Sequence, residues 1–239
     1  MKAIGVIPAR LGSTRLPRKL LREIGGRPLL GYTYRAVCAS PLLDQVLIAT
    51  DSEEIMNVGR EHGWNVQMTS AQHRNGTERV HEIANSIPAE VYVNVQGDEP
   101  LIRPGHIAAL LEIMKNPAVQ VGTLKAPASL SDITNPNAVK IVSDSTGRAL
   151  YFSRATIPFD RDAGKPHYFT HLGLYAYRKS ALDQYCRLPE SPLERSERLE
   201  QLRFLENGVP IYVGETSHET IRVDIEDDMH RLEQLLMNR

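Results

Sequence analysis

Cysteine is scarce in this chain. Only Cys38 and Cys186 occur among 239 residues, far apart and in no Cys-x-x-Cys pair. That excludes a thiol-built zinc site and a disulfide scaffold, and two buried free thiols in a reducing compartment are expected. Long hydrophobic runs are missing as well: none approaches the ~18 residues a membrane helix needs. Excess charge of either sign is absent, with 28 Lys+Arg against 29 Asp+Glu. A general polyanion or nucleic-acid binder is therefore not expected, although a local basic pocket is compatible with this balance. The sequence shows no HExxH, no zinc spacing, no Ser-His-Asp order, no Walker Gly-Lys-Ser/Thr ending and no GxGxxG. The first residues run straight into a strand-like segment rather than a secretory leader, and a cytoplasmic location is expected.

What is present is alternation. Ala3 to Ile7 is an apolar run stopped by Pro8 and reads as a buried parallel strand. Residues 10–26 read as a loop. Pro28 can open a helix whose apolar face carries Leu29, Thr33 and Val37, flanked by Leu30, Tyr34 and Cys38. Gln45 to Ala49 and Val91 to Val95 are further strands. Asp51 with Glu54 reads as a capping box for a helix ending near Gly63, and Pro104 opens another helix. Strand alternating with helix predicts a doubly wound α/β domain with a mostly parallel sheet.

The second half differs. Residues 138–142 and 148–153 flank a Ser-Asp-Ser-Thr-Gly turn and predict a hairpin. His171 to Tyr177 predicts a strand. Ser191-Pro192-Leu193-Glu194 predicts the start of a helix running to about Asn207, stopped by Gly208. Residues 116–136 and 160–166 read as loops, Ile211 to Val213 as a short strand, and Asp224 as the cap of a last helix. The expectation is one domain over 1–239, with a mixed sheet and an inserted hairpin region around 145–190.

Ligands of open α/β sheets bind beyond the carboxyl ends of the strands, and three segments fall there. The first is Pro8-Ala9-Arg10-Leu11-Gly12-Ser13-Thr14-Arg15-Leu16-Pro17-Arg18-Lys19. Small residues expose backbone amides among four cations, which suits a triphosphate, and Lys19 and Arg15 are the expected contacts. Arg18 fits a solvent-facing role equally well. The second is Asn94-Val95-Gln96-Gly97-Asp98-Glu99-Pro100. Adjacent carboxylates at the end of a buried strand are costly unless neutralised, and Mg²⁺ does this with one or two carboxylates plus phosphate oxygens. Asp98 is the better ligand, with Glu99 expected to point outward; a capping aspartate beside a solvated glutamate explains the pattern equally well. The third is Asp224, which reads as a helix cap or as a second metal ligand. Together they outline a phosphoryl-transfer site working by positioning and charge neutralisation.

These residues and others resemble a known family. The stretches I-P-A-R-L-G-S-T-R-L-P (7–17), A-T-D-S (49–52), N-G-T-E-R (75–79), N-V-Q-G-D-E-P (94–100), N-P-N-A-V-K (135–140), A-L-Y-F-S-R (149–154), H-L-G-L-Y-A-Y-R (171–178), L-E-Q-L-R (199–203) and V-D (223–224) keep the order seen in the 3-deoxy-manno-octulosonate (Kdo) cytidylyltransferases. The resemblance implies a single α/β/α nucleotidyltransferase domain, usually a homodimer. It implies the reaction of CTP with Kdo to CMP-Kdo and pyrophosphate with Mg²⁺, supplying lipopolysaccharide assembly. It places Asp98, Lys19 and Arg15 at the reacting phosphates and Asp98 and Asp224 on the metal. Pro8, Ala9, Arg10, Gly12, Ser13, Arg15, Lys19, Arg74, Asn75, Gly76, Thr77 and Gln96 are placed on the nucleotide. Ser153, Arg154, His171, Tyr175, Glu200 and Gln201 are placed on the sugar, with Arg154 suited to pair with the sugar carboxylate. A related acid, 8-amino-Kdo or a nonulosonic acid, is the alternative substrate. The chain departs from the usual family form at Arg18, where Gly is common, at Asn75, where Ser is common, and after Asp224, where Ile225-Glu226 replaces Thr-Pro.

Overall fold

A computed structural model describes the chain except residues 13–15, 163, 165, 219, 221, 238 and 239, and except the side chain of Met237. In chain order the elements are β1 (Ala3–Ala9), a 3-10 turn (Lys19–Leu21), β2 (Glu23–Ile24), β3 (Arg27–Pro28), α1 (Leu29–Cys38), β4 (Gln45–Thr50), α2 (Glu53–Glu61), β5 (Val66–Met68), α3 (Gly76–Ser86) and β6 (Val91–Asn94). There follow α4 (Pro104–Ile113), β7 (Val121–Pro127), α5 (Leu130–Thr134), β8 (Lys140–Ser143), β9 (Ala149–Ser153), β10 (Phe169–Tyr177), α6 (Lys179–Arg187), α7 (Pro192–Glu197), α8 (Leu202–Glu206), β11 (Ile211–Glu215) and α9 (Glu226–Met237). The expected α/β class, with helices flanking a mostly parallel sheet, is what these elements form.

The chain divides into two compact units, Met1–Ala108 with Thr220–Arg239, and Ala109–Glu219. In the first, β1 pairs in parallel with β4 and with β6, and β4 pairs in parallel with β5. Ile4, Val6, Ile7, Leu47, Ile48, Val91 and Val93 are fully or almost fully buried, as continuous apolar runs of a covered parallel sheet require. The α1 face packs Leu29, Leu30, Thr33 and Val37 inward. Cys38 is instead exposed and Cys186 half-buried, so neither is in a disulfide and neither is buried. Position 38 lies one step past Val37 and so rotates out of the buried stripe. The capping box expected at Asp51 is replaced by Ser52, whose hydroxyl accepts from the Ile55 amide at 3.3 Å.

In the second unit, β11 runs parallel to β7, and β7 pairs antiparallel with β10. β8 and β9 form the expected hairpin, antiparallel across Lys140 and Ser153, with Gly147 at φ 82° in its turn. The segment read as a loop over 116–136 holds β7 and α5. Val121, Leu124 and Ala126 of β7 are buried, but glycine, lysine and proline interrupt the apolar pattern that would have shown it. The helix expected from Ser191 to Asn207 is broken in two. Its capping box forms as expected, but Arg198 closes α7 in the left-handed conformation (φ 54°).

Candidate active site

The site is built in the first unit from three chain segments. β6 runs out through Val95, whose amide donates to the Val6 carbonyl at 3.0 Å, so the Gln96–Glu99 turn begins beside β1. The buried Thr33 hydroxyl of α1 donates to the Gly97 carbonyl at 2.9 Å and fixes that turn. A side chain at position 97 would press on Leu20 and Leu30 at 3.2–3.3 Å, so glycine lets the turn lie on the core. The Val223 amide then donates to the Asp98 carbonyl at 3.0 Å and brings Asp224 alongside.

Lys19 joins the three. Its ammonium lies 2.5 Å from Asp98 Oδ2, 2.7 Å from the Val223 carbonyl and 3.2 Å from Asp224 Oδ1. The expected meeting of Asp98, Asp224 and Lys19 is therefore present. Arg222 adds its Nε at 3.4 Å from Asp98 and 3.6 Å from Asp224. The charge of Asp98 is the main cause raising the Arg222 pKa; burial opposes it, and Asp224 and Glu99 add to the rise. Arg222 was not among the expected residues; a cation two residues before a candidate metal ligand was the available signal.

Glu99 corrects the expectation of an outward carboxylate. It is 2% exposed and accepts from the Thr220 hydroxyl at 2.8 Å. Burial pushes its carboxyl up to about 7, the Thr220 hydrogen bond works against this, and the charge of Asp98 adds to it. The turn geometry, with the Glu99 amide donating to the Gln96 carbonyl at 3.1 Å, turns the side chain inward.

The residues expected on the nucleotide, so far as they are described, lie in the same unit. Asn75 caps α3, its side-chain oxygen accepting from the Glu78 amide at 3.0 Å, so an amide here does the capping work open to the more usual serine. A Cβ at Gly76 would stand 3.4 Å from Pro8 Cγ and 3.6 Å from Gln96 Nε2, which places Pro8, Gly76 and Gln96 together. Thr77 is buried, and Ala9 is buried at the end of β1. Arg74 grips Glu78 through Nε at 2.9 Å and Nη2 at 2.6 Å. Arg10 and Gly12 are exposed or nearly so. Ser13 and Arg15 lie outside the described residues. Arg18 is exposed, pairs with Glu54, and takes a left-handed conformation (φ 54°, ψ 27°) at the position where the family commonly has glycine. Arg79, also unforeseen, is buried and ties α3 to the end of β4 through Asp51 at 2.9 Å. The buried Asn94 Nδ2 has no hydrogen-bond partner among the described residues.

The residues expected on the sugar lie in the second unit. Ser153 Oγ donates to Glu197 Oε1 at 2.6 Å, and the Arg154 amide to Glu197 Oε2 at 2.9 Å. Arg154 Nε and Nη1 donate to the Glu197 and Pro136 carbonyls, so its guanidinium is partly held by backbone. His171 Nε2 lies 2.9 Å from the Thr123 hydroxyl, and its ring meets Phe152 edge-on at 5.0 Å and Tyr175 at 5.3 Å. Glu200 is half-buried, and Gln201 is 4% exposed, its Nε2 without a hydrogen-bond partner among the described residues. The left-handed break at Arg198 ends α7 before this segment, and Gln201 turns inward. Glu197 was missed; only its place in a capped helix was visible in sequence.

Two carboxylates converging on one cation suit a hard divalent ion held by one or two protein carboxylates and by phosphate oxygens. Among the described residues no group of three or more His, Cys, Asp or Glu side chains could hold a metal by itself. That donor set matches an ion whose remaining ligands come from a nucleotide. A parallel α/β unit with this cluster beyond its strand ends is that of a nucleotidyltransferase.

Comparison with known proteins agrees. The cytidylyltransferase family pattern matches residues 4–232. The chain is 62% identical over its full length, and over 92% of the relative's, to the 3-deoxy-manno-octulosonate cytidylyltransferase of Koribacter versatilis. It is 57% identical, with 100% and 98% of the two chains covered, to that of Acidobacterium capsulatum. A solved structure of CMP:2-keto-3-deoxy-manno-octonic acid synthetase complexed with CTP superposes with a TM-score of 0.95 at 38% identity, covering 100% of this chain and 99% of that one. The chain belongs to the 3-deoxy-manno-octulosonate cytidylyltransferase family. Among the described residues, no helix is long and apolar enough to cross a membrane.

Proposed function

We propose that the protein transfers the cytidylyl group of CTP to the anomeric hydroxyl of Kdo, giving CMP-Kdo and pyrophosphate for lipopolysaccharide assembly. The observation that carries this reading is the convergence of Asp98 and Asp224 on the ammonium of Lys19. Asp98 and Asp224 would hold Mg²⁺, which when bound neutralises phosphate charge and lowers the pKa of an attacking hydroxyl. Lys19 balances the same two carboxylates in the ligand-free chain and can turn to phosphate oxygens once a cation replaces it. Arg10, Ser13 and Arg15 would grip the triphosphate, and the Pro8, Gly76 and Gln96 cluster would border the nucleoside.

The chemistry is an in-line displacement: the anomeric hydroxyl gives up its proton to water, its oxygen forms a bond to the α-phosphorus, the bond to the bridging oxygen breaks, and pyrophosphate leaves with its electron pair. Proximity and charge stabilisation carry such a step, so a nucleophilic side chain is not required. On the sugar side, Ser153, His171, Tyr175, Glu200 and Gln201 supply hydrogen-bonding groups, and the planar guanidinium of Arg154 suits a carboxylate. A homodimer acting in the cytoplasm with Mg²⁺ completes the reading.

The test is pyrophosphate release with each of four nucleoside triphosphates against Kdo, 8-amino-Kdo and N-acetylneuraminate. Release confined to CTP with Kdo and abolished by a chelator supports the reading. Equal or greater release with either other acid would move the substrate assignment.

A further inference from the structure

A cleft in the first unit lies apart from the residues of the candidate active site. It has a volume of about 380 Å³ and is lined by Arg27, Tyr34, Arg35, His62 and Trp64, with Cys38 and two glycines. No lining residue is acidic. Neither Arg27 nor Arg35 has a carboxylate partner among the described residues; Arg27 lies over the Tyr32 ring at 5.2 Å, and Arg35 is exposed. The aromatic wall is ordered. The His62 imidazole stacks on the Trp64 indole at 4.9 Å and 16°, and Tyr34 tilts against the same indole at 5.7 Å.

The wall is also built closely. A Cβ on Gly31 would stand 2.8 Å from Trp64 Cζ2, so the missing side chain lets the indole lie against α1. The Tyr34 hydroxyl accepts from the Asn65 amide at 3.0 Å and fixes the turn that carries Trp64.

We propose that this cleft binds an anionic ligand bearing a planar ring, with the chemistry of a nucleoside diphosphate. Two guanidiniums without carboxylates match phosphate oxygens, which they take two at a time. A flat ring extends the indole–imidazole stack on the exposed imidazole. The volume lies in the range of small-ligand sites.

Trp64 is the sole tryptophan of the chain, so its emission reports on the cleft directly. The full chain is titrated with adenosine 5′-diphosphate while tryptophan fluorescence is followed, and with adenosine and inorganic pyrophosphate in parallel. A saturable change is expected with the diphosphate, at least roughly tenfold weaker with adenosine. Arg27→Ser with Arg35→Ser, or the exposed Arg35→Ser alone, should weaken binding while the thermal midpoint stays unchanged. Lys19→Ala, which alters the proposed catalytic site, should leave the titration as it was. That arm separates this proposal from the proposed function. Equal response to adenosine, loss of response in Lys19→Ala with retention in the arginine variants, or no response at all would overturn it. A response to pyrophosphate equal to that of the diphosphate would overturn the ring-binding part.

Discussion

Asp98 and Asp224 share one cation: the Lys19 ammonium stands 2.5 Å from the first carboxylate and 3.2 Å from the second. They come from the end of β6 and the segment before α9, so this meeting exists only in the folded chain. The Lys19 ammonium neutralises part of a charge cluster that also includes buried Glu99.

Asp98→Asn should therefore lower turnover far more than stability. Losing one preorganised electrostatic contact to the reacting groups, such as an oxyanion-hole donor, costs on the order of 10²–10³ in kcat, and a loss of that order is expected here. The thermal midpoint should move little, because the variant relieves repulsion with Glu99 and Asp224 while losing contacts to Lys19 and Arg222. Steady-state pyrophosphate release and a melting curve check this; normal turnover with normal Mg²⁺ dependence would refute the role of Asp98.

Glu99 makes the chelator-treated protein pH-sensitive. Its folded pKa of about 7 lies above the ordinary 4.5, so the folded chain binds the proton more tightly than the unfolded one. Stability from this group is complete below the unfolded pKa and is lost as pH rises through about 7, by at most about 3 kcal/mol. Glu99→Gln should gain in melting temperature over the parent at pH 8 and lose that advantage at pH 5. An advantage independent of pH would contradict the account.

Arg18 occupies a left-handed position where the family commonly carries glycine. A side chain there costs about 1 kcal/mol. Arg18→Gly should therefore be more stable than Arg18→Ala by roughly that amount, since both lose the Glu54 pair and only glycine relieves the backbone. Chemical denaturation of the two variants decides it; equal stability would show that the turn relaxes in one of them.

Glu197 holds both the Ser153 hydroxyl and the Arg154 amide. Glu197→Gln keeps the shape but weakens two charge-assisted hydrogen bonds, each of roughly 1.5–3 kcal/mol at most. If those residues position the sugar acid, KM for Kdo should rise about tenfold while KM for CTP stays within twofold. Equal rises in both would point to general loosening of the unit.

Much of the first unit was legible because its signals are local. Buried parallel strands read as apolar runs, and Pro28 stands where α1 begins. The cluster of Lys19, Asp98 and Asp224 was legible from residue types at strand ends together with the family resemblance. What escaped depended on tertiary context. Nothing near Glu99 in the sequence announces Thr220, which receives its carboxylate from across the chain. Thr33 looked like part of an apolar stripe, yet its hydroxyl anchors the Gly97 carbonyl. The break at Arg198 lacks the glycine that usually marks a left-handed end, so one long helix was expected and the inward turn of Gln201 was hidden. β7 was hidden by Lys125 and Pro127 at its end, although its middle is fully buried.

The most direct measurement is Mn²⁺ binding in the presence of CTP, read by electron paramagnetic resonance as loss of the free-ion signal. The account predicts CTP-dependent binding by the parent chain, weakened at least roughly tenfold in both Asp98→Asn and Asp224→Asn. Undiminished CTP-dependent binding in either variant would contradict a cation held jointly by the two carboxylates.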